Sequence, residues 1–287
     1  MKILVLGATG MLGNVVFKTL SSKYEVWGTI RNSIGKVFFS DTLQQRLISG
    51  IDVLKEDLLV DLINKVKPDV VINCIGLTNK HIKESDDSSI SKIINSLFPH
   101  RLVNICNIIE ARVIHISSDC VFSGRSGGYS ENDPSDAEDL YGKSKFLGEV
   151  YDQGAITLRT SIIGHELSSS NGLLNWFLSQ DEECQGFSRA VFSGVTTFEL
   201  ARVIKDIIIP RTDLSGLYQI SGQTISKYEL LKIISKIYKK PINIVKNDQF
   251  VIDRSLNSIK FNNETGYEAQ DWEHSIKLMY ANFTEKG

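Results

Sequence analysis

Tyr141 and Lys145, in the run Tyr141-Gly142-Lys143-Ser144-Lys145, are residues whose types and spacing could move a proton. Positions four apart on a helix share one face. A free phenol titrates near pH ~10, and a cation beside it favours the phenolate and lowers that value. A tyrosine tuned in this way can give or take a proton at working pH. Carbonyl reduction needs that chemistry, because a hydride goes to carbon and a proton to oxygen. The spacing alone is not specific. A second Tyr-x-x-x-Lys, Tyr228 to Lys232, reads as a solvated pair on a capped helix and serves as an internal control.

The proton donor needs a partner that holds the carbonyl. Arg112 to Ser117, RVIHIS, reads as a buried parallel strand that runs into Ser117-Ser118-Asp119-Cys120. Ligands of open α/β sheets sit at the carboxyl ends of the strands, so a hydroxyl there could hydrogen-bond a substrate carbonyl. The plainer alternative is that these serines cap a turn. A loop of Gly, Ser, Glu, Asp and Pro spans residues 124–135 and leads into the Tyr141 helix.

A hydride also needs a donor, and the N-terminus carries a place for one. Lys2 to Leu6, KILVL, reads as a buried strand, followed by Gly7-Ala8-Thr9-Gly10-Met11-Leu12-Gly13 and an apolar-periodic helix to about Leu20. Glycines at this spacing tighten the turn and let backbone N–H groups approach a phosphate at the helix N-terminus. Strand, glycine turn and helix in succession are the context that the dinucleotide fingerprint requires. The candidate cofactor residues here are Gly7, Thr9, Gly10, Met11, Leu12 and Gly13. The second strand, Tyr24 to Ile30, ends at Arg31, where an NAD-selective site usually has an acid. An arginine there can hold a 2′-phosphate, with Lys36 able to assist, so the cofactor is expected to be NADPH. Asp52 and Val53 follow a short third strand, where a carboxylate could meet an adenine amino group. Asp69 to Asn73 is the next strand, and Cys74-Ile75-Gly76 could line the cofactor with backbone. A long helical pattern from about Ile90 to Ala111 carries Asn95 and should break or kink near Pro99.

Bulk properties exclude several classes. The net charge of −2 gives no reason to expect nucleic acid or an anionic membrane as partner. The four cysteines lie far apart and the five histidines have no ligand spacing, so no metal site is expected. Free buried thiols fit a cytoplasmic protein. No apolar run approaches the ~18 residues of a membrane span.

Taken together, the glycine loop, the strand-end serine and the Tyr-x-x-x-Lys helix resemble the extended short-chain dehydrogenase/reductases. The chain is most similar to the dTDP-4-dehydrorhamnose reductase family of sugar-nucleotide reductases. The matching stretches are SSDCVFSG (117–124), YSENDPSDAEDLYGKSKFLGE (129–149), LRTSIIG (158–164), SGVTTFELA (193–201), RSLNS (254–258) and DWEHSIKLM (271–279). The resemblance implies that Ser118 holds the ketone and Tyr141 donates the proton. It also implies that Lys145 lowers the tyrosine's pKa and binds the nicotinamide ribose. Asp119, Cys120, Thr160 and Ser161 fall on the substrate side, and Asn95 matches an asparagine on the helix behind the site. Two departures concern the sugar: Cys120 stands where the family often has Tyr, and Ile162 where it often has Trp.

The expected architecture is α/β, a doubly wound parallel Rossmann sheet with right-handed crossovers and a smaller, discontinuous α/β substrate domain. Residues 1–160, 187–217 and about 259–287 would form the nucleotide-binding part, and 161–186 with 218–258 the substrate part. Two capping boxes, Thr196 with Glu199 and Ser226 with Glu229, predict helices at about 197–209 and 227–239. The stripe GLLNWFLS (172–179), with Trp176, reads as core or a dimer contact. The resemblance implies NADPH-dependent reduction of the C4 ketone of a dTDP- or UDP-linked 4-keto-6-deoxyhexose, and a dimer contact at the 172–179 stripe would make the protein a homodimer. The alternatives are a sugar-nucleotide epimerase, or a non-catalytic NADP-binding regulator like the β subunit of methionine adenosyltransferase. A 4,6-dehydratase would commonly carry Glu where Cys120 stands.

Overall fold

The computed structural model describes residues 1–78, 88–152 and 154–284. The chain enters through β1 (Lys2–Leu6), β2 (Glu25–Ile30), β3 (Leu47–Ser49), β4 (Val70–Asn73), β5 (Arg112–Ile116) and β6 (Ala155–Arg159). It leaves as β7 (Ile162–Ile163), β8 (Glu183–Phe192) and β9 (Val195–Thr196), returns as β10 (Gly216–Gln219), and leaves again as β11 (Ile225–Ser226) and β12 (Asn243–Asp253). The main sheet has the order β10-β6-β5-β4-β1-β2-β3, and all its pairings are parallel. Alternate residues of β1 serve two separate cores: Ile3 and Val5 face one, Leu4 and Leu6 the other. A parallel strand buried on both faces reads as an unbroken apolar run, as KILVL does.

The direction of winding reverses between β1 and β4. That reversal opens a crevice at the carboxyl ends of these two strands, the place where such sheets take ligands. Helix α1 (Met11–Leu20) starts there. A Cβ on Gly13 would lie 2.1 Å from the Gly7 carbonyl oxygen, so only glycine lets α1 pack this closely on the turn.

The long helical stretch before β5 is continuous, but not uniformly α. It runs as α through Ser88–Lys92, widens into a π turn at Ile93–Leu97, and resumes as α2 (Phe98–Ile108) with Pro99 in its first turn. Proline has no N–H to offer a carbonyl four residues back, here that of Asn95, and its ring would clash with it. The expected kink is therefore a π turn just before the proline. Helix α3 (Leu140–Leu147) carries Tyr141 and Lys145.

A second sheet, β11-β8-β12, packs helices α4 (Leu173–Leu178) and α6 (Lys227–Tyr238) in a core of its own. Leu174 and Phe177 of the 172–179 stripe are fully buried in that core, whereas Trp176 is half-exposed. The expected boundaries differ from the strands in two places. The break at 186/187 falls inside β8, and β10, which reaches Gln219, belongs to the main sheet. Pairing between distant strands sets these limits, and local composition does not report it. Of the capping boxes, the Thr196 and Ser226 hydroxyls accept from the N–H groups of Glu199 and Glu229 at 3.1 Å each. These caps start α5 (Thr197–Val203), which continues into a π turn at Ile204–Ile208, and α6.

Because Gly13 has no room for a methyl group, Gly13→Ala should cost about 1–3 kcal/mol of stability. Urea unfolding should show a lower midpoint with an unchanged slope. An unchanged midpoint would mean that the close approach carries no strain.

Candidate active site

The glycine turn is built from β1 outward. Gly7 sits in the left-handed region at φ +82°, and a Cβ there would lie 2.9 Å from Ile75 Cγ1. Its N–H donates to Thr29 Oγ1 at 3.0 Å, and the Gly10 N–H donates back to the Gly7 oxygen at 3.0 Å. Helix geometry leaves the N–H groups of Met11, Leu12 and Gly13 without intrahelical acceptors, so they can meet a phosphate. The Leu12 side chain is buried, and only its backbone can take part. A 3-10 turn at Ser33–Phe38 folds over Thr9, where a Cβ on Gly35 would come within 2.7 Å of the Thr9 methyl.

Arg31 stands exposed one residue beyond β2, with no ion pair or hydrogen bond to any described residue. Asp52 accepts from the Leu54 N–H at 3.1 Å through one carboxylate oxygen. Val53 packs into the core beneath. Across the crevice, Cys74 leaves β4 with its thiol pushed up to about 12 by burial. Gly76 is exposed, and a Cβ there would be 3.8 Å from Lys145 Nζ. The crevice thus runs from Arg31 at the β2 end to Lys145 beyond β4. The cradle fits a dinucleotide: it is glycine-lined where backbone must approach phosphate, and it ends in an unpaired cation.

Ser118, Tyr141 and Lys145 meet beyond β5. Ser118 caps a 3-10 turn at Asp119–Val121, accepting from the Cys120 N–H at 3.1 Å. Asp139 caps α3, accepting from the Gly142 N–H at 2.8 Å. A Cβ on Gly142 would lie 2.1 Å from the Cys120 oxygen, so the start of α3 is pressed against the Ser118 turn. Asn95 braces the other side. Its amide oxygen accepts from Leu77 N–H at 2.9 Å, and its NH₂ donates to Leu77 O at 2.9 Å and Ser144 Oγ at 3.1 Å.

Lys145 is buried and donates to the Ile116 carbonyl at 2.7 Å. Burial lowers its pKa to about 8, while Glu149 pulls the other way. Burial also pushes the Tyr141 phenol well above its ordinary value. Cys120 adds to that rise, and a hydrogen bond with Ser118 opposes it. This differs from the expected lowering by Lys145, because burial dominates, the charges of Cys120, Asp119 and Asp139 add to it, and the ammonium is turned onto a backbone carbonyl. Such a phenol keeps its proton at neutral pH, and a bound oxygen must become the stronger base before it takes that proton. The control pair differs throughout: Lys232 is half-exposed, lies 5.3 Å over the Tyr228 ring and pairs with Glu229 at 3.1 Å.

On the substrate side, Asp119 donates its N–H to the Thr160 oxygen at 3.2 Å. Burial raises its carboxyl, against the pull of Arg254 and of hydrogen bonds with Ser118, Ser161 and Cys120. The Thr160 hydroxyl is spent on the Ser161 carbonyl at 3.3 Å. The Cys120 thiol, pushed up to about 12 chiefly by burial, accepts from Arg254 Nη1 at 3.4 Å. A separate cavity of about 320 Å³, walled by His165, Tyr238, Tyr280 and Phe283, includes none of these residues.

Sequence reasoning assigned no role to two groups that brace the site. Glu149, fully buried, binds Arg159 through both oxygens at 2.7 and 2.8 Å and also accepts from Ser117 Oγ and Tyr151 OH at 2.7 Å each. An arginine inside the apolar strand AITLR was the available signal, since a buried charge needs a partner. His115 is the other. Asn73, whose amide oxygen is fixed by the Ile75 N–H, donates to His115 Nδ1 at 3.1 Å, so the ring proton lies on Nε2. Burial, then Lys145 and His100, keep this histidine neutral.

A parallel sheet wound about a β1/β4 switch point, with a glycine turn after β1 and a Ser/Tyr/Lys cluster after β5, defines a Rossmann-fold protein of the short-chain dehydrogenase/reductase type. Within that class, the chain belongs to the RmlD substrate binding domain family, whose model matches residues 1–285. It is 24% identical over 307 aligned positions to a dTDP-4-dehydrorhamnose reductase of Aggregatibacter actinomycetemcomitans, covering 98% of each chain. It is 25% identical to methionine adenosyltransferase 2 subunit beta of Xenopus laevis, over 84% of this chain and 73% of that one. Its fold matches a dTDP-4-dehydrorhamnose reductase from Bacillus anthracis solved with NADP, at a TM-score of 0.79 and 20% identity, over 98% of this chain and 99% of that one.

Glu149→Ala should strand Arg159 in the core. Removing one partner of a buried pair costs about 3–5 kcal/mol, and urea unfolding should read that loss. A loss under about 1 kcal/mol, the value of an exposed pair, would show that water reaches the site.

Proposed function

We propose that the chain is an NADPH-dependent reductase of the C4 ketone of a nucleotide-linked 4-keto-6-deoxyhexose, with dTDP or UDP as carrier. The observation that carries this reading is the convergence of Ser118, Tyr141 and Lys145 at the carboxyl end of β5, beside the crevice, in a chain whose family match spans residues 1–285. NADPH bound in the crevice would supply the hydride. Ser118 and Tyr141 both donate to the C4 oxygen and orient the ketone, and Tyr141 delivers the proton. An oxygen that gains negative charge benefits from two donors more than the ground-state ketone does. Lys145 holds its ammonium between the Ile116 carbonyl and Gly76, where a ribose hydroxyl would lie. Gly7 to Gly13 take the pyrophosphate, Arg31 the 2′-phosphate and Asp52 the adenine edge. The unit around the β11-β8-β12 sheet takes the sugar nucleotide and closes on Asp119, Cys120 and Ser161. We place the reaction in the cytoplasm.

Two observations weigh against the other readings. An epimerase would need a further base, and the Cys120 thiol is held far from ionisation by burial. The similarity to methionine adenosyltransferase 2 subunit beta favours a regulatory reading, but a binding module has no need of a buried Tyr/Lys pair set against a strand-end serine.

The assay is NADPH oxidation with dTDP-, UDP- and GDP-linked 4-keto-6-deoxy sugars. Tyr141→Phe should lower kcat by about 10²–10⁴-fold, while Tyr228→Phe should leave it unchanged. Equal losses would place the chemistry elsewhere. No turnover on any sugar, from protein that binds NADPH, would favour the regulatory reading.

The cofactor choice has its own test. Arg31→Ala should weaken NADPH binding by about 1.5–3 kcal/mol, the value of a hydrogen bond to a charged group, and leave NADH binding as it was. Calorimetry reads both. Equal affinity of the wild type for NADH and NADPH would remove Arg31 from the site.

A further inference from the structure

Arg254 follows β12 directly, at the exit of the small sheet, far in sequence from the reaction cluster. Backbone bonds nonetheless zip its neighbours to the loop that follows the Ser118 turn. Asp253 N–H donates to Gly124 O at 2.8 Å, Tyr129 N–H to Ser255 O at 2.9 Å and Asn257 N–H to Tyr129 O at 2.7 Å. Gly128 N–H adds a bond to Ser255 Oγ at 2.8 Å. The zipper leaves Arg254 aimed inward, with its aliphatic stem against Gly124. Its Nη1 donates to Cys120 Sγ at 3.4 Å, and its Nη2 lies 3.9 Å from Asp139 Oδ2. Its Nε is buried with no partner.

These contacts fall on the two parts that place the reacting groups. Cys120 belongs to the turn that Ser118 caps, and Asp139 caps the helix that bears Tyr141. Both Asp139 oxygens are engaged: Oδ1 takes the Gly142 N–H and Oδ2 faces the guanidinium. Asp119, the half-buried first residue of the Ser118 turn, has Arg254 as the cation that favours its ionised form. Neither lysine of α3, Lys143 or Lys145, is among the groups that favour it, and Lys145 bonds Ile116 O.

We propose that Arg254 is a positioning residue that latches the small sheet onto the Ser118 turn and the N-terminal cap of the Tyr141 helix, so that the reacting groups are aligned only when that sheet is docked. It acts through Asp139, Asp119 and Cys120, not by moving a proton itself. The inference rests on the reading of Ser118, Tyr141 and Lys145 as the reaction centre. A guanidinium has the planar fork to span a thiol and a carboxylate together, whereas lysine offers a single charged point.

The test compares wild type, Arg254→Gln and Arg254→Lys over a pH series with NADPH and the 4-keto sugar nucleotide that turns over. Arg254→Gln should lower kcat by about 10- to 100-fold, the scale of a small misplacement, with less than about a threefold change in KM. Without its cation Asp119 protonates more readily, so the acidic limb of kcat should move to higher pH. Arg254→Lys keeps the charge and should return the limb while recovering only part of kcat. A loss confined to KM, with the limb unmoved, would make Arg254 a plain substrate ligand and overturn the proposal. So would a variant indistinguishable from wild type. A second measurement does not depend on turnover: carbon-13 NMR titration of the Asp119 carboxyl should give a higher pKa in Arg254→Gln than in wild type. If no sugar turns over, the reductase reading fails and this titration still decides the latch. An unchanged Asp119 pKa overturns it.

Discussion

The ion pair between Glu149 and Arg159 holds the site in register. Its atoms lie where β5, β6 and the end of α3 meet, and Ser117 ties in the residue next to Ser118. Two charges taken out of water are costly, and their attraction offsets that cost only when geometry and hydrogen bonds are good. Here the carboxylate accepts four hydrogen bonds, and the guanidinium lies 5.2 Å from the Phe122 ring centre, although Nη1 has no partner. A hydrophobic substitute could fill the volume, but it would not fix three backbones to within a hydrogen-bond length. The pair also keeps a negative charge one helical turn from Lys145, which opposes the tendency of burial to strip that lysine of its proton.

The same economy of water shapes the rest of the centre. The tyrosine, cysteine and aspartate beside Ser118 are all pushed toward their neutral forms by burial. A site full of reluctant acids holds its protons until an oxygen with growing charge appears. That condition keeps the donors loaded at neutral pH, and a proton leaves only as the acceptor oxygen becomes the stronger base. It explains why a lysine directed at a backbone carbonyl is still useful: its charge is fixed in place and available to a neighbouring hydroxyl, not spent on the phenol.

Much of this was legible in the sequence because it is local. The strand, glycine turn and helix of residues 2–20 follow from an apolar run, a glycine spacing and a helical period, and the Tyr141 helix from its motif. What stayed hidden depends on partners far along the chain. The boundary inside β8 is set by pairing with β11 and β12. Arg254 stands out in the sequence only as the first residue of the RSLNS match, and its role shows only when β12 delivers it beside Cys120. The expected effect of Lys145 on Tyr141 followed helical spacing, which brings two residues to one face but does not say which neighbour the ammonium will choose. The expected kink at Pro99 takes the form of a π turn, against which Gly148 packs so closely that a Cβ would lie 1.8 Å from the Asn95 carbonyl oxygen.

The contact between Cys120 and Arg254 joins residues 134 apart in sequence. A ribosome adding ~5–20 residues per second needs about 7–27 s to make that interval. Once β6 is made, β1 to β6 can pair while the Ser118 turn still lacks its cation and, until residue 219, the main sheet lacks β10. The nascent chain therefore passes through a stage in which the nucleotide crevice, with Ser118, Tyr141 and Lys145 already made, exists before Arg254. A cofactor captured at that stage would bind the folded half and favour it by mass action. NADPH could thus act as a template during synthesis, well before it serves as a reagent.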